Sequence, residues 1–139
     1  MIHGYFGGYS RTIPLVNADI EFLELGGPRF SVQFVIDTAA GGVTLGPKDA
    51  ARFEATFGID VGSLRADPEG ISGINGIAPC WQIHVRLWLA DRSFDIDLRL
   101  LDPRGANDPD APPSLLGRVI LSHYTLVVSW PNNTIGLYD

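Results

Sequence analysis

The stretch that decides the fold reads Phe34-Val35-Ile36-Asp37-Thr38-Ala39-Ala40-Gly41-Gly42-Val43-Thr44-Leu45. Three apolar residues run straight into an aspartate. A hydroxyl residue, two alanines and two glycines follow, and apolar residues return on either side of Thr44. The apolar run predicts a strand buried on both faces, a place where a carboxylate needs a reason. Asp37 is the only aspartate set between an apolar run and a glycine-rich turn, and the only one followed by Thr or Ser. An ionised carboxylate there needs donors, which the amides of Thr38 to Gly42 can supply. Taken alone, the loop reads equally well as an Asx turn that closes on itself and as a chemical site.

Working outward, the preceding segment Arg29 to Ile36 reads as a strand. It pairs as a hairpin with an earlier one over Thr12 to Leu25, which can break near Asn17-Ala18; Gly26-Gly27-Pro28 is the turn between them. Residues 1 to 11, rich in Gly, Ser and aromatics, read as a loose N-terminal arm, and residues 12 to 139 as the domain proper. After the Asp37 loop, Pro47 opens a short helix with Ala50, Ala51, Phe53 and Phe57 at helical spacing, and Gly58 ends it. Asp60 to Gly70 is polar and turn-rich. Ile71-Ser72-Gly73-Ile74-Asn75-Gly76-Ile77 alternates small polar and apolar residues and predicts a mobile hairpin.

The clearest pattern lies between Cys80 and Leu101. Trp81, Ile83, Val85, Leu87 and Leu89 point one way, and Phe94, Ile96, Leu98 and Leu100 alternate with Asp95, Asp97 and Arg99. A period of two over this length predicts a long hairpin. Asp102 to Pro113 reads as a surface loop. Ser114 to Gly117 is a short buried strand, and Arg118 to Tyr124 a short helix. Thr125 to Trp130 and Thr134 to Tyr138 form a last hairpin around Pro131-Asn132-Asn133. The class is all-β with one or two short helices.

Composition narrows the function. The 139 residues suit one domain, with 45% hydrophobic residues for a single core and 16 glycines and 10 prolines for many tight turns. A net charge of −6 argues against a nucleic-acid partner. No apolar run reaches membrane-spanning length. The start, Met1-Ile2-His3-Gly4-Tyr5, has neither a basic nor an apolar leader region, so no signal peptide is expected. The single cysteine, Cys80, fits a reducing compartment, and a cytoplasmic location is expected. His3, His84 and His123 are widely spaced, so neither a metal nor another cofactor is expected. Ser122-His123 is not a nucleophile and base, because neighbours on a helix do not face each other and no glycine elbow precedes the serine.

With Asp37 and Leu116-Gly117-Arg118 both placed, the chain resembles a retropepsin-like aspartic protease, the single-lobe family that includes the retroviral proteases. The family pattern is an apolar pair, Asp-Thr/Ser-Gly-Ala/Ser, and a leucine eight positions after the aspartate; here it reads Val35-Ile36-Asp37-Thr38-Ala39-Ala40 and Leu45. A glycine-rich flap follows in the family, and Ile71, Gly73, Ile74, Asn75, Gly76 and Ile77 match it. Near the C-terminus come an apolar pair, Gly, Arg and a short helix, here Leu115-Leu116-Gly117-Arg118-Val119-Ile120-Leu121. The chain departs from the pattern at three positions. Ala39 replaces the family glycine, Gly41 stands where a polar residue is frequent, and Val119 follows the arginine.

The resemblance implies a closed, β-barrel-like lobe and peptide hydrolysis with Asp37 as the catalytic residue. Thr38, Ala39, Ala40 and Gly41 would form the active-site loop, with Leu116, Gly117 and Arg118 as its support. Aspartate-catalysed hydrolysis needs two carboxylates around one water. Like charges about 3 Å apart share one proton, so one acts as base and the other as acid. The chain holds one Asp-Thr, so a dyad requires a second copy related by a two-fold axis. The resemblance thus implies a homodimer acting on a peptide or protein. The alternative is a non-catalytic retropepsin-like module that binds peptides or dimerises; a small barrel holding an apolar ligand is a third reading.

Overall fold

The computed structural model describes residues 1–73 and 76–139. Among the described residues the chain forms ten strands and two α-helices. Strands β1 (Ile2–Gly7), β2 (Ile13–Glu21) and β3 (Arg29–Ile36) come first, followed by β4 (Val43–Leu45) and helix α1 (Pro47–Phe57). Strands β5 (Arg65–Gly73), β6 (Gly76–Leu89) and β7 (Arg92–Leu101) lead to β8 (Leu115–Leu116) and helix α2 (Arg118–Leu121). The chain ends with β9 (Thr125–Ser129) and β10 (Thr134–Tyr138).

The strands follow the order β5-β6-β7-β4-β8-β3-β2-β1-β10-β9, and a further β2–β6 pairing closes six of them into a ring. Inside the ring lie the residues whose alternation the sequence displays. Ile83, Val85, Leu87 and Leu89 of β6 are buried, as are Ile96, Leu98 and Leu100 of β7. Their partners Gln82, His84 and Arg86 form an outer polar ladder with Arg99, Asp97 and Asp95 of β7. Helix α1 caps the ring through Ala50 and Phe53, and Phe22 packs against Phe53 and Phe57 with ring centroids 5.0 and 5.2 Å apart. Burying aromatic side chains in this way is the largest single apolar contribution a short helix can make.

Several expectations change. The loose arm expected at the N-terminus is a strand over Ile2–Gly7, which bridges β10 and β2. Strand β2 runs through Asn17-Ala18 without a break, because Asn17 and Ala18 sit opposite Gln33 and Val32 in the ladder. The turn-rich reading of 60–70 holds only for a short 3-10 turn at Val61–Ser63 and its two caps; from Arg65 on the chain is β5. Strand β5 escaped notice because its burial does not alternate. Its ladder with β6 shifts register between Asp67 and Ile71, where Gly70 takes a left-handed φ of 66°. A glycine at a bulge supplies that conformation at no steric cost.

Candidate functional site

Asp37 leaves the end of β3 at the point where β3, β4 and β8 meet. Strand β8 runs parallel to β3 and antiparallel to β4, so two buried residues, Ile36 and Leu116, lie side by side beneath the loop. The amide of Asp37 donates to the carbonyl of Leu116 at 3.1 Å, continuing the ladder by one residue. Its carboxylate Oδ1 accepts from the amide of Ala39 at 2.9 Å. Among the described residues, Oδ2 has no hydrogen-bond partner in the chain. The Asx turn and the chemical site are therefore not competing readings: the turn orients one oxygen and leaves the other free. Only one of the amides anticipated for this role bonds the carboxylate.

The loop carbonyls are held from the other side. Arg118 Nη1 donates to the carbonyls of Thr38 and Ala39, each at 2.9 Å. The amides of Arg118 and Val119 donate to the carbonyls of Ala40 and Gly41, again at 2.9 Å. Four successive carbonyls of one loop are thus taken by two successive residues of α2. Arg118 needs no acidic partner for this, which explains how Gly41 can stand where a polar residue is frequent. A planar guanidinium with several donors suits such a task. Gly117 makes the approach possible. A Cβ there would lie 2.5 Å from the carbonyl oxygen of Ala40 and closer still to that of Gly42.

Ala39 is exposed, and its φ is not in the left-handed region. The backbone of the loop therefore accepts an alanine without left-handed strain. Thr38 is exposed beside it, and Asp37 is half-buried.

The segment matched to a flap is the end of the β5–β6 hairpin, in which Ile71, Ser72 and Gly73 pair with Ala78, Ile77 and Gly76. Ile74 and Asn75 lie outside the described residues. The hairpin overhangs a cleft of about 430 Å³. Ile71 and Ile77 of the hairpin line it together with Leu101, Pro113 and Leu115. Leu115 precedes Leu116, whose carbonyl holds Asp37, so the cleft adjoins the loop along β8. Ile77 is 70% exposed and lines this space.

Sequence reading missed part of this lining. Residues 102–113 carry only the composition of a surface loop, yet their end is pinned down. Ser114, 3% exposed, accepts from the amide of Gly46 at 3.0 Å and donates to Asp49 Oδ2 at 2.5 Å. That bridge holds the Pro112-Pro113 segment over the start of α1. The one cysteine, which the sequence suggests is a structural thiol rather than a nucleophile, lies on β6, a strand of the hairpin. Cys80 is 1% exposed, and burial, then the neighbouring Asp67 carboxylate, push its thiol above the ordinary range. Asp67 in turn pairs with Arg99 at 3.5 Å. The raised value makes the thiol a poor nucleophile. Among the described residues no cluster of His, Cys, Asp and Glu is arranged to hold a metal, and no helix is long and apolar enough to cross a membrane.

A crystal structure of a retropepsin-like aspartic protease from Rickettsia conorii is similar to the chain with a TM-score of 0.57 and 18% identity, over 97% of this chain and 89% of that one. The fold is retropepsin-like. The protease of EIAV, solved with the inhibitor HBY-793, is similar with a TM-score of 0.56 and 18% identity, over 88% of this chain and 99% of that one. No family model matches the sequence, and no curated protein matches it. The likeness of fold thus extends over 97% of the chain.

Proposed function

We propose that the protein is a homodimeric aspartic endopeptidase in which the Asp37 carboxylates of two copies activate one water. The observation that carries this is the half-buried Asp37 carboxylate, one oxygen fixed by the Ala39 amide and the other free, on a loop whose carbonyls α2 occupies. A carboxylate held this way can meet its symmetry mate without rearranging. The pair shares a proton, one member taking a proton from water and the other donating toward the carbonyl oxygen of the peptide. Its apparent pKa values belong to the pair. Residues 12–139 form the peptidase unit, and the strand within residues 1–11 completes its terminal sheet.

Dimerisation has a surface to use. Among the described residues strand β9 pairs only with β10, which leaves its outer edge open, and it carries neither a charge nor a proline to block pairing. Val127, Trp130 and Tyr138 expose apolar surface nearby. A second copy laid along this edge, with Thr38 facing its mate, would bring the two loops together. The β5–β6 hairpin would then close over an extended peptide as a flap. The reading without catalysis, a dimeric peptide-binding module, is favoured by one observation: Ala39 adds a methyl at a position that a close partner loop would approach.

A peptide library cut by wild type across pH 3 to 8, and not by Asp37→Asn, supports the peptidase. Equal cleavage by both removes Asp37 from the chemistry. Peptide binding without cleavage by wild type, and by Ala39→Gly, supports the module instead. Sedimentation that shows only monomer at tens of micromolar counts against both.

A further inference from the structure

The cleft beneath the β5–β6 hairpin is lined mostly by apolar residues, and among the described residues only one side chain lining it is ionisable: Asp110. Among the described residues Asp110 makes no ion pair; the salt bridges of the neighbouring segment go to Asp102 and not to it. Its position is fixed by backbone. Its amide donates to Asp108 Oδ1 at 2.9 Å, and the amide of Ala111 donates to the Asp108 carbonyl at 3.0 Å. Pro112 and Pro113 then run into the pinned Ser114. A lone carboxylate at the rim of an apolar cleft attracts a cation there, and the chain's net charge of −6 favours cationic ligands from a distance.

We propose that this cleft selects a Lys or Arg side chain of the bound peptide, with Asp110 as the residue that sets the preference. Long cationic side chains suit the geometry. Their methylene stems lie along Ile71, Ile77 and Leu115, and their heads reach the wet rim. Asp110 is exposed, so the pair stays partly hydrated and its effect is selective rather than large. The inference rests on the peptide-binding reading of this cleft, but not on cleavage.

The test uses full-length Asp37→Asn protein and fluorescein-labelled, extended, apolar peptides that carry Lys, its neutral isostere norleucine, or Glu at each position in turn. At one position the Lys peptide binds about five-fold tighter than the norleucine peptide, as expected for one partly exposed charge pair. The Glu peptide binds more weakly than either. Added salt narrows the difference. Asp110→Asn abolishes the Lys preference, and Asp110→Lys turns it toward Glu. Equal binding of Lys and norleucine peptides, a preference that survives Asp110→Asn, or no peptide binding at all overturns the proposal. Wild type that cuts peptides without this preference overturns the inference alone. A preference kept by a wild type that cuts nothing supports it and overturns the peptidase alone.

Discussion

The β5–β6 hairpin lines a cleft that the Asp37 loop adjoins through β8, and the two are held by different physics. The loop is tied on three sides: by the Leu116 carbonyl behind it, the Ala39 amide within it and Arg118 beside it. The hairpin is held by its own ladder, which shifts register between Asp67 and Ile71, and its end is exposed from Ser72 through Pro79 in all described residues. Directed hydrogen bonds fix a group to fractions of an ångström, as a catalytic carboxylate requires. An exposed ladder with few buried contacts opens cheaply, as a lid requires. On the proposed function, the difference assigns precision to the loop and closure to the hairpin.

The strongest way to break this comparison is at the carboxylate. Asp37→Asn should lower peptide cleavage by about 10²–10⁴-fold, the range of general acid–base catalysis, while leaving the melting temperature unchanged. A large loss of stability would show that Asp37 serves the fold instead. Next comes the contact that lets α2 approach. Gly117→Ala drives a methyl into the carbonyls of Ala40 and Gly42 and should cost about 2–3 kcal/mol in chemical denaturation. Cost-free substitution would mean that the loop and α2 are not tightly docked.

Arg118→Ala removes two hydrogen bonds from a charged donor, but the side chain is exposed. The expected loss is about 1–2 kcal/mol. Arg118→Lys should recover less than half of it, since the shorter lysine stem does not carry its ammonium to the place of Nη1. Full recovery would reduce Arg118 to a point charge. On the hairpin the outcome should be the opposite. Ile77→Ser removes an exposed side chain and should move stability by under about 0.5 kcal/mol while weakening peptide binding. A clear drop in stability would erase the distinction between the two regions.

The smallest effect lies outside both. The Arg86 guanidinium hydrogen-bonded to Asp95, and that of Arg104 hydrogen-bonded to Asp102, hold these carboxyls below the usual range. With folded values below the unfolded one of about 3.9, their stabilisation is present above that pH and is lost as pH falls through the lowered values. Both carboxylates are partly exposed, so the slope is shallow. Arg86→Gln should flatten it slightly in urea titrations between pH 2 and 5. An unchanged profile would remove Asp95 from the acid response.

Much of the molecule was legible because its signals are local. The alternation from Trp81 to Leu100 placed β6 and β7, Pro47 and the spacing of Ala50, Phe53 and Phe57 placed α1, and the turn residues Pro131 to Asn133 placed the last hairpin. Asp37 stood out because a carboxylate at the end of a buried strand conflicts with its surroundings. Each of these patterns is set by neighbours within a few residues, where burial periodicity and turn chemistry act directly. Tertiary structure decided the rest. Arg118 meets the Thr38 carbonyl across 80 residues of sequence, Ser114 meets Asp49 across 65, and Trp130 Nε1 meets the Thr12 carbonyl across 118. Strand β1 owes its existence to the edges of β2 and β10, and Asp110 owes its place in the cleft to a bridge it does not touch. No local pattern carries such pairings, because a hydrogen bond depends on where two groups lie in space and not on what stands beside them in the chain.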